Sequence, residues 1–532
     1  MFGHAPALKR TLALRQTLTL KRVLAALLGW CAAVSGAAAD WVRAESENFV
    51  FHGKVAPERA RETVRELEVF RSTVLALMGA DGAVPEVRKV HVFGERDVRG
   101  VRRLTGMRGV SGVYTKGDDY PVFVTLAGGR RRQADSARMV ALHELTHHIL
   151  AAHTARFYPR WYDEGFAEYL SSFTLEGDLV TVGEPASAHG LILNRRGWTD
   201  ADLVFGSVAA YPFESGGHVQ ALRAGYFYGM SWLGVHYLMN TPDLGRRIDD
   251  YVTLVNAGVE PIRAFEEGFG LTPSAFRKRI HAYWQKNAFG VAQFRLGEGL
   301  AEPAVTVAVV PEAEARAARF EAEALFRHEP DDLERTRRAI EDALTDEGPS
   351  GRLYAHLLRL SLHADDHDGA VAVGRRAVAA LPDDADAIQT LADALFHRYL
   401  AAPGSEKRAG DLTEAITLFE RQLTIAPDSP TANLHLPTAT ILAGAAPSQT
   451  VVDAVAFNLA YRRAPSNFGI YLDGAAIMQR LGADVERCGL VAVVAPWIRA
   501  ADAALDDEQR AKRRGETPLD RLDRLGEGCP AG

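Results

Sequence analysis

A histidine pair with a glutamate beside it has the spacing of a metal site. His143 and His147 stand four residues apart, so on a helix both imidazoles project from one face and can bind one metal ion. Glu144 lies about 100° further round the helix, beside that ion without pointing at it. Such a carboxylate can take a proton from the water that a metal activates and pass it to a leaving amine. Neutral imidazole suits Zn2+, whose catalytic sites use three protein ligands.

The third ligand is expected from the acidic helix that follows, Pro159 to Tyr169. Here the sequence resembles the gluzincin (peptidase-MA-like) zinc metallopeptidases, the clan that includes thermolysin and the aminopeptidase N family. Those families take their third ligand from a Glu on the helix after the His pair, and in the aminopeptidases that Glu begins a Glu-Gly-Phe-Ala run. The run stands here as Glu164 to Ala167, after sixteen intervening residues. The resemblance makes Glu164 the third ligand, and zinc chemistry also favours a carboxylate there.

Other polar residues of these two helices have weaker claims to a role. Glu168 lies one turn after Glu164 and could accept the outer N–H of a ligating imidazole, or it could be a solvated helix charge. Asp163 is a lesser candidate for the same role. His148 and His153 are interpreted as structural histidines.

A tyrosine is the expected stabiliser of the oxyanion that forms during hydrolysis. Related peptidases supply a Tyr or His from a later helix, and Tyr228 opens the next clear helix, with Tyr226 less favoured. The alternative is that both tyrosines belong to the core.

The elements before the His pair alternate between strand and helix. Strands are expected near Asn48–Phe51 and Val90–Phe93, and a hairpin joins Gly112–Tyr114 to Pro121–Ala127. The last strand either forms the edge of the substrate cleft or lies inside the sheet. Residues 174–218 are rich in Gly, Ser and Pro and are expected to be irregular. The expected fold is an α+β zincin-like metallopeptidase domain.

The second half of the chain is helical, rich in alanine and degenerately repetitive. Small residues inside a helix are followed eleven or twelve positions later by Pro382, Pro427 and Pro465. This pattern resembles tetratricopeptide repeats, which implies an all-α repeat domain that binds protein partners. An ordinary helical bundle is the alternative.

The N-terminus has the pattern of a signal peptide. Lys21-Arg22 precedes an apolar run, and small residues lead to an A-x-A site before Asp40. Cleavage predicts a periplasmic or extracellular protein without a stable membrane span, whereas an uncleaved anchor is the alternative. In an oxidising compartment Cys488 and Cys529 could pair, or both could remain thiols.

The expected organisation follows from these features. We divide the chain into a signal peptide (1–39), a gluzincin-like metallopeptidase domain (40–296), a linker (297–314), tetratricopeptide-like repeats (315–500) and a charged C-terminal tail (501–532). The formal net charge of −7 becomes −12 once the five basic residues of the first 39 are removed (−7 − 5). So acidic a chain has no electrostatic reason to bind a phosphate backbone, and nucleic acid is excluded as a partner.

The resulting hypothesis is an exported endopeptidase that hydrolyses peptide or protein substrates, with repeats that recruit protein partners. The closer likeness is to secreted bacterial proteins that join a compact peptidase-MA-like domain to tetratricopeptide repeats. The Gly-x-Met-Glu-Asn segment with which aminopeptidases hold a free amine is not found, so removal of N-terminal residues is unsupported. The alternative is a non-catalytic scaffold that binds peptides or proteins. Zinc storage would require His- or Cys-rich tracts, which the sequence lacks.

Overall fold

The structure is a computed structural model of the chain. This structure describes residues 40–79, 88–110, 112–115, 121–127, 131–154, 156–185, 187–194, 198–206, 218–297, 301–326, 330–403, 408–461, 467–503 and 516–530. The predicted signal peptide, 1–39, and the turn of the predicted hairpin, 116–119, lie outside these residues.

A mixed sheet organises the first half of the chain. The strands of the described residues are β1 (Val42–Glu45), β2 (Phe49–Gly53), β3 (Val90–Glu95), β4 (Val113–Thr115), β5 (Val122–Leu126), β6 (Thr174–Glu176), β7 (Leu179–Val182), β8 (Ala292–Arg295) and β9 (Thr306–Val309). Six of them form the mixed sheet, in the order β4-β5-β3-β2-β1-β9. Strands β2, β3 and β5 are parallel, whereas β1, β4 and β9 pair antiparallel with their neighbours. A separate small sheet has the order β6-β7-β8.

Helices cover both faces of the main sheet. The helices of this half are α1 (Pro57–Leu77), α2 (Val98–Thr105), α3 (Arg131–His153), α4 (Arg160–Ser171), α5 (Ser187–Leu193), α6 (Ala201–Phe205), α7 (His218–Met239), α8 (Pro242–Gly245), α9 (Ile248–Asn256), α10 (Pro261–Phe269), α11 (Pro273–Lys286) and α12 (Glu312–Phe326). Side chains alternate between the two faces of the sheet along each strand. Phe51 and Val92 pack on one face against α1 and α3. Phe93 packs on the other face against α2 and α12.

The second half of the chain is an array of helices. They are α13 (Pro330–Asp346), α14 (Gly351–His363), α15 (His367–Ala380), α16 (Ala385–Ala401), α17 (Ala409–Ile425), α18 (Pro430–Leu442), α19 (Gln449–Tyr461), α20 (Phe468–Arg480) and α21 (Asp484–Ala503). Each helix packs against the next, and alternate helices also touch, for example α14 with α16 and α18 with α20. This is the stacking expected of a helical repeat, so the repetitive all-α prediction is confirmed in that coarse form.

The small residues that marked the repeat lie where the helices pack. Ala370, Ala415 and Ala454 lie in α15, α17 and α19, and each is fully buried. Pro382 and Pro427 follow the ends of α15 and α17, as expected of helix-terminating prolines. Pro465 lies outside the described residues.

Three observations bear on the predicted domain boundaries, which stay predictions. The predicted linker, 297–314, contains β9, whose residues 306–309 pair with β1 and return the chain to the sheet. The first helix of the predicted repeats, α12, packs on that sheet through Ala322 and Phe326, so the array begins after it. The predicted tail, 501–532, contains a further helix, α22 (Pro518–Gly526), whose Leu522 is buried against the preceding helices.

Two further features bear on the predicted organisation. Residues 174–218, expected to be irregular, contain β6, β7, α5 and α6. Within the described residues, the structure has no helix both long and apolar enough to cross a membrane.

Candidate metal centre

Helix α3 presents the histidine pair because its other side is held in the core. Leu142, Leu145 and Ile149 are almost completely buried and fix the rotation of the helix. The rings of His143 and His147 therefore lie together on the opposite side, with centroids 4.8 Å apart and planes inclined by 78°. Their Nε2 atoms are 3.1 Å apart, close enough to bind one ion.

Helix α4 brings a carboxylate to the same point. Glu164 is buried, with 2% of its surface exposed, and its Oε2 atom lies 3.2 Å from Nε2 of His143 and 3.5 Å from Nε2 of His147. The next residue, Gly165, packs so closely on α7 that a Cβ atom there would overlap the carbonyl oxygen of Ser231. A glycine at position 165 is thus required for α4 to pack this closely against α7.

The three atoms fit a zinc ion by size. A tetrahedral ion with ligands at roughly 2.0–2.1 Å separates them by roughly 3.3–3.4 Å, and the three distances of 3.1, 3.2 and 3.5 Å bracket that value. Of the described residues, only His143, His147 and Glu164 form a set with metal-binding geometry. Oε2 of Glu164 is buried and accepts no well-formed hydrogen bond from any described residue, as a ligand atom should.

The electrostatics of the site favour a cation. Burial by itself would raise the pKa of Glu164, but the two imidazoles and Arg160 hold that pKa below its ordinary value. Burial likewise opposes a charged His147, yet Asp163 and Glu164 raise its pKa to about 10. The carboxylates therefore give the site a negative potential that a metal dication would neutralise.

Helix α4 also supplies a carboxylate to Nδ1 of each imidazole, the ring nitrogen that faces away from the candidate metal position; we call these carboxylates outer partners. Asp163 accepts from Nδ1 of His147 at 2.9 Å. Glu168 lies with Oε1 3.4 Å from Nδ1 of His143, in the place considered for it from the sequence. Such carboxylates orient the ring and select the tautomer that leaves Nε2 free for a metal.

Two basic residues complete the surroundings of the carboxylates. Arg160 donates from Nη2 to Oε1 of Glu164 at 2.6 Å, one turn earlier on α4. His189 of α5 donates from Nε2 to Oε2 of Glu168 at 3.0 Å. Neither contact was predicted from the sequence. The i, i+4 spacing of Arg160 and Glu164 could have indicated the first contact, whereas nothing in the sequence indicates the second, which joins distant elements.

The two proposed catalytic residues have different surroundings. Glu144 is half-buried and has no hydrogen-bond or ion-pair partner among the described residues. The ring of Tyr228 lies 6.4 Å from the ring of His143, measured between centroids, and is half-buried. Tyr226 is buried in the core.

The remaining predicted features lie outside the ligand set. His148 contacts the hydroxyl of Tyr114 at 3.0 Å, and His153 contacts Arg71, so both tie α3 to neighbouring elements. Of the two roles considered for the strand Pro121–Ala127, the internal one is correct, because β5 lies between β3 and β4. The edge nearest α3 is β4.

Comparisons with known proteins add little to this geometry. No protein-family model and no curated protein matches the chain. Among solved structures, the chain is similar to a tetratricopeptide-repeat protein of Thermus thermophilus, with 18% identity over 40% of this chain and 91% of that one. The TM-score is 0.24, too low for any argument about fold or function.

Proposed function

We propose that this chain is an exported zinc metallopeptidase of the gluzincin type, with a zincin-like domain followed by tetratricopeptide-like repeats. The observation that carries the proposal is the triangle formed by Nε2 of His143, Nε2 of His147 and Oε2 of Glu164. Glu144 follows His143 directly on the same helix. A structural zinc site uses four protein ligands and has no need of an adjacent base. Three ligands with a carboxylate next to them favour hydrolysis.

Each ligand has a defined place in the proposed chemistry. His143, His147 and Glu164 would hold Zn2+, and Asp163 and Glu168 would keep the two rings oriented. Zinc, when bound, would supply Lewis acidity at the scissile carbonyl and lower the pKa of water.

The proton transfers are assigned to Glu144. Its carboxylate has no competing partner among the described residues, so it is available to a water molecule. It would accept the proton of the attacking water and deliver it to the nitrogen of the departing amine, after which it returns to its starting state. Tyr228 is the proposed donor to the oxyanion, since its ring stands against that of His143.

Two features support export and partner binding. Cys488 and Cys529 form a disulfide bond, which persists mainly in oxidising compartments such as the periplasm or the medium. The stacked helices of the array form the extended surface on which helical repeats bind other proteins, and we propose that it recruits substrates or partners.

The experiment is a cleavage assay with a diverse peptide mixture. The chain from Asp40 onward is loaded with zinc, incubated with the mixture beside its Glu144→Gln variant, and the products are read by mass spectrometry. We expect new internal termini with the parent protein only, lost on chelation and restored by zinc. Identical product spectra for the two proteins would reject the peptidase and favour the non-catalytic scaffold.

A further inference from the structure

One carboxylate of the proposed zinc site is held from two sides. Glu168 lies between two imidazoles, with Oε1 3.4 Å from Nδ1 of His143 and Oε2 3.0 Å from Nε2 of His189. Asp163, by contrast, reaches its imidazole at 2.9 Å. The contact of Glu168 with its imidazole is the longer of the two, so it depends more on how the carboxylate is oriented.

The orientation of Glu168 is not fixed by its own helix. Its side chain is one-fifth exposed and has several rotatable bonds, so α4 alone leaves it several rotamers. The hydrogen bond from His189 selects one of them, in which the other oxygen faces the ligand His143.

His189 is rigid enough to act in this way. It is buried, with 8% of its surface exposed, and its ring stacks on Trp232 with centroids 5.2 Å apart and planes inclined by 21°. Helix α5, which carries it, lies against α7, where Ile192 packs over Gly225 and Leu193 over Gly229. The donor is therefore anchored in the core that also holds Tyr228.

We infer that His189 is a positioning residue, which orients Glu168 and through it the zinc ligand His143. The inference rests on the proposed function, since it assumes that His143 binds zinc. No contact of His189 with substrate or metal is required. The series of contacts from His189 through Glu168 to His143 would affect the affinity for zinc directly and turnover only as a consequence. The reason is that outer partners set the orientation and basicity of ligating imidazoles.

The test uses substitutions that separate the donor from the ring. His189→Phe keeps a flat ring on Trp232 but removes the donor, whereas His189→Gln removes the ring and places an amide N–H near the position of Nε2. His189→Asn is the matched control for Gln, because the same amide on a shorter side chain falls short of Glu168. Zinc affinity is measured by competition with a chromophoric chelator, with thermal unfolding as the check on folding.

We expect zinc to bind about 10-fold more weakly to the Phe and Asn variants, at the low end of the range for outer partners, and within about twofold of the parent for Gln. Should the Phe variant fail to fold, the Gln and Asn pair decides. In a Glu168→Ala background, His189→Phe should have no further effect, which a merely structural role would not predict.

The outcomes distinguish this inference from the proposal on which it rests. A parent protein that binds no zinc would overturn both. A parent that binds zinc, with His189→Phe and His189→Asn binding it equally well, would overturn the positioning role alone. Equal weakening by His189→Phe with and without the Glu168 carboxylate would also overturn it, because His189 would then act by another route.

Discussion

Oδ1 of Asp163 lies 2.9 Å from Nδ1 of His147, while the next residue along α4 reaches the other nitrogen of the same ring. Two consecutive carboxylates thus hold one imidazole from opposite sides. Since the metal would bind at Nε2, the Asp163 contact is the one that fixes the ring and its tautomer.

Loss of that contact should weaken metal binding. Replacing Asp163 by Ala leaves Nδ1 of His147 without its carboxylate, so we expect zinc to bind about 10- to 100-fold more weakly. Competition with a chelator at fixed pH measures the change. Asp178→Ala is the matched control, since that residue pairs with Arg295 on the surface. Equal affinities for the two variants would remove Asp163 from the site.

The glycine after Glu164 should be intolerant of a methyl group. In Gly165→Ala the new Cβ would overlap the carbonyl oxygen of Ser231, and backbone on both sides leaves little room to relax. We expect a loss of about 1–3 kcal/mol in the free energy of unfolding, as for overpacked cores. Weaker zinc binding should accompany it because Glu164 moves with α4. Denaturant titration and chelator competition measure the two effects.

Gly489→Ala is the control for that substitution. Gly489 lies within helix α21, and a Cβ atom there would meet no other atom within 4 Å. Alanine at an open helical position should stabilise by about 1 kcal/mol or less. If Gly165→Ala were as benign as Gly489→Ala, the tight packing of α4 on α7 would not be a constraint on the site.

The sequence could predict that the three candidate ligands lie together, because their pattern spans only two consecutive helices. His143 and His147 occupy one helix, and the spacing rule for helices places their rings together. Glu164 followed from a resemblance in a short run of residues. The partners that hold these ligands were harder to predict: Asp163 was ranked below Glu168, although both lie at an imidazole. His189 reaches the site through tertiary packing, which has no period in the sequence.

The fold was predictable where its patterns were strong. The strands near Phe49 and Val90 and the long helices α1 and α3 stand out by alternation and helical spacing. Strand β9 was missed because its four residues are mostly exposed at the edge of the sheet and follow a stretch rich in Gly and Pro. Helix α22 was missed because its charged sequence buries only Leu522 and Leu525.

Reduction of the disulfide should release α22. Cys488 and Cys529 are 41 residues apart, and their bond joins α21 to the residues after α22. We expect Cys488→Ser with Cys529→Ser to lower the stability of this terminal region by about 2–4 kcal/mol and to expose it to limited proteolysis. Zinc affinity should not change. A double variant that resists protease as well as the parent would show that the buried leucines suffice to hold α22.

Acid should destabilise the array through a buried histidine. His356 of α14 is buried, and neither ring nitrogen has a hydrogen-bond partner among the described residues. Burial, with Arg359 and Arg352 nearby, holds the pKa of His356 well below its ordinary value. Below about pH 6.5 the unfolded chain therefore takes up a proton that the folded chain does not, so stability falls as the pH falls.

His356→Phe should reduce that dependence. His356 should account for about 1 kcal/mol of the free energy of unfolding that the parent loses between pH 7.5 and 5.5. The Phe variant should lose less by that amount. Urea titrations of the parent and the variant at both pH values measure the difference. An unchanged loss in the variant would mean that His356 does not titrate differently in the folded and unfolded chains.

The most direct test of the proposed zinc site measures bound zinc and peptide turnover together in three proteins: the parent, Glu144→Gln and Glu164→Ala. We predict one zinc ion and turnover in the parent. Glu144→Gln should retain the zinc but lose turnover, because only the base is gone, and Glu164→Ala should lose both because a ligand is gone. Equal loss of zinc in the two variants, or turnover that survives Glu144→Gln, would contradict the assignment of Glu144 as base and Glu164 as ligand.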